Sequence, residues 1–345
     1  MQVLTLDQVG LVAIGRNEGL RLEQCLRSVI GKVSAIVYVD SGSTDGSVAL
    51  ARSLGVMVVS LDLAIPFTAA RARNAGLEQL LEIAPLIEFV QFVDGDCEII
   101  SGWLEAATAA LSDNANLASN VVAVCGWIKE RYPKRSIYNR ICSVEWGLGE
   151  VGLISSFAGN VMIRVDSFVG VEGFNPTIIA GEEGELSVRL RQQGGQILRI
   201  DQECIWHDSD MQHFSQWWQR AKRCGYAHMQ VSHLYRLASE GLFRREIRRT
   251  WLWGAIFPLC FLTLVPATSG LSLLGFLRYL LVFLKVATET QKQGFRSSES
   301  LLWGLSCALS VFPEVLGILK FWVTHWRRKP HMIIEHKTIN KSSLA

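Results

Sequence analysis

Over the first hundred residues, short runs of apolar, β-branched side chains alternate with polar loops and with stretches of helical period. Nothing else in the chain restricts its fold as much. Leu11-Val12-Ala13-Ile14 stops at Gly15-Arg16-Asn17-Glu18, after which Leu20, Leu22, Leu26 and Val29 recur at helical spacing. Ala35-Ile36-Val37-Tyr38-Val39 gives way to Asp40-Ser41-Gly42-Ser43-Thr44-Asp45-Gly46-Ser47 and then to a helix through Leu54. Val56 to Val59 predicts a third strand, Ala69 to Ile83 a helix, and Phe89 to Val93 a fourth strand that ends at Asp94-Gly95-Asp96. Strands taken in turn with helices build a mostly parallel, doubly wound α/β sheet. Its loops at Asn17, Asp40 and Asp94 would then share one edge, where open sheets of this kind place ligands.

Two carboxylates one residue apart at the end of a strand suit a divalent cation, because Mg²⁺ and similar hard ions take oxygen ligands and keep several waters. Asp94 and Asp96 are therefore candidate ligands, and Asp40 at the end of its own strand is a candidate for ligand binding. Arg71, Arg73 and Asn74 lie near the start of their helix, where cations oppose the helix dipole and call for a compensating anion such as a diphosphate. Cys97 adjoins the acidic pair, and its expected role is packing.

Farther along, Gly102 to Leu111 reads as a helix, Val121 to Trp127 as a strand, and Ala158-Gly159-Asn160-Val161-Met162-Ile163 as a strand entered through a glycine kink. Gly181-Glu182-Glu183-Gly184-Glu185-Leu186 leads into a helix in which Glu185 can pair with Arg189 at i+4. Glu182 and Glu183 are expected ahead of that helix, where they either complement its dipole or serve as a general base for an acceptor hydroxyl. His207, after the strand from Gln196, could complete a metal site begun by Asp96. Trp217, Trp218 and Arg220, on a helix from Phe214, suit stacking on a sugar, orienting a lipid phosphate, or anchoring at a membrane interface.

The apolar content of 49% and mean hydropathy of +0.23 are high for a purely soluble protein, and from Trp251 onward the charge density falls while Leu, Phe and Trp accumulate. Trp251 to Ala267, Leu271 to Ala287 and Leu301 to Trp326 are apolar, and the first two approach the length of a bilayer span as a helical hairpin. Basic clusters at Arg244-Arg245-Glu246-Ile247-Arg248-Arg249 and Arg327-Arg328-Lys329 place both ends on the cytoplasmic side. An odd number of spans is incompatible with that, and Pro313, Glu314 and Lys320 point to the third segment as interfacial or re-entrant. The expected organisation is a catalytic domain over 1–240, membrane-associated helices over 241–330 and a polar tail over 331–345. The net charge of +2 excludes a nucleic-acid partner, and eight cysteines without paired spacing fit reduced thiols. Met1 to Gly10 has no signal-peptide pattern, so the catalytic domain is expected to face the cytosol from the inner or cytoplasmic membrane.

Arg16-Asn17-Glu18, Asp40 to Asp45, Arg71-Ala72-Arg73-Asn74, Asp94-Gly95-Asp96 and Gly181 to Leu186, in that order and over about residues 10–230, resemble the family 2 glycosyltransferases of GT-A fold. The resemblance implies a nucleotide-sugar donor, a divalent cation (Mg²⁺ or Mn²⁺) and a glycan or lipid-linked acceptor. It places Asn17, Glu18 and Asp40 at the base and ribose, and Arg71, Arg73 and Asn74 near the diphosphate. Asp96 becomes the metal ligand, with Asp94 nearer the ribose. Where the family has Glu-Asp this chain has Glu182-Glu183, which implies Glu183 as the base with Glu182 behind it. The processive members' Gln-x-x-Arg-Trp is matched only in part by Gln216 to Arg220, which favours transfer of a single sugar, and the mechanism the resemblance implies is inverting displacement. Two alternatives share these features: a sugar nucleotidyltransferase of related fold, and a non-catalytic membrane partner that retains the fold.

Overall fold

The computed structural model describes residues 6–112, 120–236 and 241–334. They form two compact units. One runs to Arg131 and resumes over Gly149–Ser209, and the other comprises Tyr132–Leu148 and continues from Asp210. In chain order the strands are β1 (Val9–Gly15), β2 (Ala35–Asp40), β3 (Met57–Ser60), β4 (Phe89–Asp94), β5 (Cys97–Ile99), β6 (Val121–Glu130), β7 (Gly152–Ile154), β8 (Val161–Arg164) and β9 (Gln196–His207). The helices of the first unit are α1 (Leu20–Arg27), α2 (Ser47–Ser53), α3 (Ala69–Ile83) and α4 (Trp103–Ser112). After α5 (Ile137–Gly147) of the second unit come α6 (Val165–Gly170) and α7 (Glu182–Gln192) of the first.

The strands lie in the order β3-β2-β1-β4-β8-β6-β9-β5, with β7 on β9. Through β3-β2-β1-β4 the sheet is parallel, and Gly15 stands opposite Asp40 while Ile14 stands opposite Asp94. That register brings the carboxyl ends of β1, β2 and β4 to one edge. Beyond β4 the sheet is mixed: β8 runs antiparallel to both β4 and β6, and β9 is parallel to β6.

Both faces are covered, which is why the strands read as continuous apolar runs. Val9, Leu11 and Ala13 of β1 pack with Leu22 and Leu26 of α1 and Trp103 of α4. Val12 and Ile14 face the other way, into a core with Leu77 and Leu80 of α3 and Leu186 of α7. Glu182 and Glu183 are the first two residues of α7 and not part of a preceding loop, because Gly181 takes a left-handed φ of 82° and turns the chain directly into the helix.

The second unit adds α8 (Phe214–Leu234), α9 (Arg244–Trp251), a π-helical turn (Leu252–Ile256), α10 (Phe257–Thr263), a 3₁₀ turn (Leu271–Phe276), α11 (Leu277–Lys292), α12 (Ser297–Leu309) and α13 (Val311–Trp326). It begins earlier than residue 241 because α8 and α5 belong with the C-terminal helices. The Trp217 indole N–H donates to Ser306 Oγ at 2.9 Å, and Arg220 grips Glu145 of α5 through both nitrogens at 2.7 and 3.0 Å. Residues 335–345 of the expected polar tail lie outside the described residues. Among the described residues, two helical stretches are long and apolar enough to cross a membrane, 271–292 and 297–326. The expected first segment, from Trp251, is not one of them. Its helix is interrupted by the π turn and ends at Thr263.

Where α8 crosses α13 the two backbones touch. A Cβ added at Gly225 would lie 2.0 Å from the Glu314 carbonyl oxygen, and one at Gly317 would lie 2.0 Å from the Lys222 carbonyl oxygen. Backbone carbonyls cannot swing aside, so a methyl group at either glycine forces the helices apart. Gly317→Ala is expected to destabilise the protein by about 1–3 kcal/mol despite alanine's better helix propensity. Chemical unfolding of the purified protein, followed by far-ultraviolet circular dichroism, measures it.

Candidate active site

Arg73 is the hub of the first unit's loop edge. It sits one turn into α3, whose start is capped by the Thr68 hydroxyl accepting from Arg71 N at 3.1 Å. Only 2% of Arg73 is exposed. Its Nη1 donates to Glu182 Oε1 at 2.9 Å and to Glu183 Oε1 at 3.4 Å, and its Nη2 donates to Asp94 Oδ1 at 3.0 Å. The guanidinium also lies 5.3 Å from the centroid of the Phe174 ring. Burial pulls its pKa down, but Asp94, Glu183 and Glu182 outweigh burial and hold it above the ordinary arginine value.

Three carboxylates around one guanidinium leave negative charge in excess. The Glu183 carboxyl is pushed up to about 7 by burial first and by the Glu182 charge second, against the pull of Arg73. That is the range in which a carboxylate both takes and returns a proton at neutral pH. Gly159, just before β8, closes the cluster. A Cβ there would lie 2.7 Å from Arg73 Nη2, 3.2 Å from Glu183 Oε1 and 3.4 Å from Asp94 Oδ2.

The carboxylates of Asp94-Gly95-Asp96 go to two different places. Asp94 turns to Arg73, and Asp96 turns to His207, whose Nε2 lies 3.2 Å from Asp96 Oδ2. Cys97 Sγ lies 3.3 Å from Asp96 Oδ1, and one donor atom each from Asp96, Cys97 and His207 falls within 4.8 Å of the others. Oxygen, sulfur and imidazole nitrogen at that spacing fit a divalent cation. Asp94, expected as a second ligand, is not in this set because Arg73 engages it.

Other residues expected at a ligand are also engaged by the protein. Asp40 accepts from the Tyr38 hydroxyl at 3.1 Å and from the backbone N–H groups of Gly42 and Ser43 at 3.0 Å each. Asn17, at φ 58°, accepts from Thr44 N at 2.7 Å, and Glu18 pairs with Arg21 at 2.8 Å. Arg71 donates to the carbonyls of Ile65 and Asp62, both at 2.9 Å. Asn74 exchanges both its amide groups with the Phe174 backbone, at 2.7 and 3.0 Å. Asp40, Asn17 and Asn74 therefore shape the loops of the edge. Trp217, Trp218 and Arg220 belong to the second unit, where Phe214 stacks on Trp217 with centroids 5.5 Å apart.

Residues 12–171 match the model of glycosyl transferase family 2. They are a family 2 glycosyltransferase domain. AglE of Haloferax volcanii, a glycosyltransferase, is 28% identical over 137 residues, 37% of this chain and 42% of AglE, so the match spans less than half of that relative. Among solved structures, the mannosyltransferase PcManGT of Pyrobaculum calidifontis, in complex with GDP-Man and Mn²⁺, is similar with a TM-score of 0.58 at 15% identity. That similarity covers 90% of this chain and 87% of the other. S. aureus TarS 1–349 gives a TM-score of 0.50 at 13% identity, over 87% of this chain and 90% of the other. At such identities the likeness establishes the fold, which is GT-A.

In this glycosyltransferase domain, sequence reasoning missed the clustering role of Arg73, the closure by Gly159 and the nearness of Cys97 to His207. The glycine kink at Gly159 was a usable signal for the second; the other two rest on contacts between distant positions. Arg73→Met leaves three crowded carboxylates without their counter-ion. It is expected to cost about 3–5 kcal/mol of stability at pH 8, and less at pH 5, where the carboxylates neutralise themselves by binding protons. Urea unfolding at the two pH values checks both the size and the sign.

Proposed function

We propose that the protein is an inverting, metal-dependent glycosyltransferase that moves a single sugar from a nucleotide-sugar donor to a membrane-associated, lipid-linked acceptor. One observation carries this reading: Arg73 gathers Asp94 and Glu183, distant in sequence, into one cluster and leaves Glu183 with a pKa of about 7. The base takes the proton from the acceptor hydroxyl, and Glu182, which shares Arg73 Nη1 with it, keeps that base from becoming too weak. Asp96 and His207 would hold Mg²⁺ or Mn²⁺, which when bound neutralises charge developing on the leaving diphosphate. The loops ordered by Asn17 and Asp40 lie at the same edge and suit the base and ribose. PcManGT, whose structure contains GDP-Man and Mn²⁺, supports a donor and a cation of these classes.

The acceptor reading rests on the second unit. Leu271, Leu274, Leu277, Leu280, Leu281 and Leu284 are each half or more exposed or close to it, on a stretch long enough to span a bilayer. Two spans, 271–292 and 297–326, would return the chain to the side it started from. Arg244 to Arg249 and Arg327 to Lys329 then share the cytoplasmic face of the membrane, and the parity conflict posed by three segments disappears.

Three outcomes test the reading. Calorimetric titration with GDP- and UDP-sugars should show binding that requires Mn²⁺ and is lost in Asp96→Asn. Glu183→Gln should retain donor binding while transfer falls by about 10²–10⁴-fold, the range of a lost general base. The transfer rate of the unmodified protein should rise with pH and level off above about 7, because the base acts only when deprotonated. A flat profile, or full activity in Glu183→Gln, moves the base elsewhere.

A further inference from the structure

We propose that Cys97 is a third ligand of the cation site, so that Zn²⁺ and Co²⁺ bind there through a metal–sulfur bond that Mg²⁺ does not form. The inference rests on the reading that Asp96 and His207 hold a cation, and it concerns a residue that reading does not use. Its first support is register. Cys97 and His207 are direct partners across the antiparallel β5–β9 pair, so their side chains leave the sheet on the same face as neighbours. Asp96, the residue before Cys97, supplies the third corner.

The second support is spacing. Metal–ligand bonds of about 2.0–2.3 Å set tetrahedral ligand–ligand edges of roughly 3.3–3.8 Å. Asp96 Oδ1 lies 3.3 Å from Cys97 Sγ and Asp96 Oδ2 lies 3.2 Å from His207 Nε2. One donor atom from each of the three residues falls within 4.8 Å of the others, so a modest contraction around an ion brings them to such edges. Cys25 and Cys204 of this unit differ. Cys25 reaches the Asp94 backbone carbonyl and Cys204 that of Trp127, the contacts of thiols that only fill space. Cys97 is buried as they are, yet its sulfur has a carboxylate and an imidazole beside it.

The third support is Asn160, which is 4% exposed. Its amide N–H group points at Cys97 Sγ from 3.8 Å, while its Oδ1, also buried, has no hydrogen-bond partner. A core asparagine that directs its donor to a sulfur and leaves its acceptor unsatisfied is placed to support that sulfur once it is bound to a metal. Amide N–H groups commonly support metal-bound ligands in this way. When the metal–sulfur bond forms, the thiol proton passes to solvent and the sulfur lone pair goes to the metal. A soft thiolate beside a borderline imidazole selects Zn²⁺ and Co²⁺, whereas Mg²⁺ gains nothing from sulfur.

The full-length protein titrated with Co²⁺ is expected to develop an intense near-ultraviolet thiolate-to-Co²⁺ charge-transfer band. Cys97→Ser should lose that band and bind Zn²⁺ more weakly by at least the roughly 10–100-fold that loss of a supporting hydrogen bond costs, with Mg²⁺ affinity unchanged. His207→Gln should shift the band, and Asn160→Ala should keep it at reduced affinity. Co²⁺ that binds with weak ligand-field bands alone, or a band indifferent to His207→Gln and so belonging to other thiols, overturns the proposal even where Cys97→Ser fails to fold. Mn²⁺-dependent donor binding that persists in those cases leaves the transferase reading standing. Loss of all metal binding together with metal-dependent donor binding removes both.

Discussion

A single buried guanidinium holds this site together. Arg73 is held charged by Asp94, Glu182 and Glu183, and in return it fixes the end of β4 against the start of α7. The balance is deliberately incomplete in charge: one cation does not neutralise three anions in a buried space. The residual cost falls on Glu183, whose proton is held to about neutral pH. A fully neutralised cluster would be more stable and would contain no base. The first unit therefore gives up stability at the position proposed for proton transfer, a common relation between stability and activity.

Much of the sheet was legible because burial on both faces makes parallel strands read as uninterrupted apolar runs. The helix over Ala69–Ile83 and the Glu185–Arg189 pair, with nitrogens 2.6 and 2.7 Å from the carboxylate, follow from periodicity and i,i+4 spacing alone. What periodicity could not give was pairing. β5 has three residues, too few for any pattern, and its antiparallel match to the far end of β9 is what brings Cys97 to His207. Arg73 read as a ligand-facing arginine because a cation near a helix start opposes the dipole and calls for an anion. Its real partners lie 21, 109 and 110 residues away. The division of the chain was hidden for a similar reason. α8 looks like the end of a globular domain in sequence, and its contacts with Ser306 and Glu145 together with the glycine-mediated approach to α13 assign it to the C-terminal helices.

The Asp94-Gly95-Asp96 turn also shows how the two carboxylates of one motif can have separate partners. Read as a string, it is one pair of metal ligands. In space Gly95, with its N–H bonded to the Ile14 carbonyl at 2.7 Å, separates a carboxylate that belongs to the arginine cluster from one that belongs to the histidine. The turn thus links the proposed proton-transfer and cation sites, and displacement of Gly95 would disturb both.

The antiparallel course of β8 has a consequence for how this domain can vary. Because β8 runs against β4, with Val161 opposite Phe92, its opening residues meet the closing residues of the parallel strands. Insertion or deletion of one residue between Gly159 and Val161 would reverse the pleat and drive a side chain into the guanidinium. At the other end the chain passes from Arg164 straight into α6, and Phe168 and Val171 are buried in the core, so packing rather than the guanidinium resists a change of length. Both ends of this strand are therefore pinned, one by a charge cluster that admits no side chain and the other by a helix that begins without a loop.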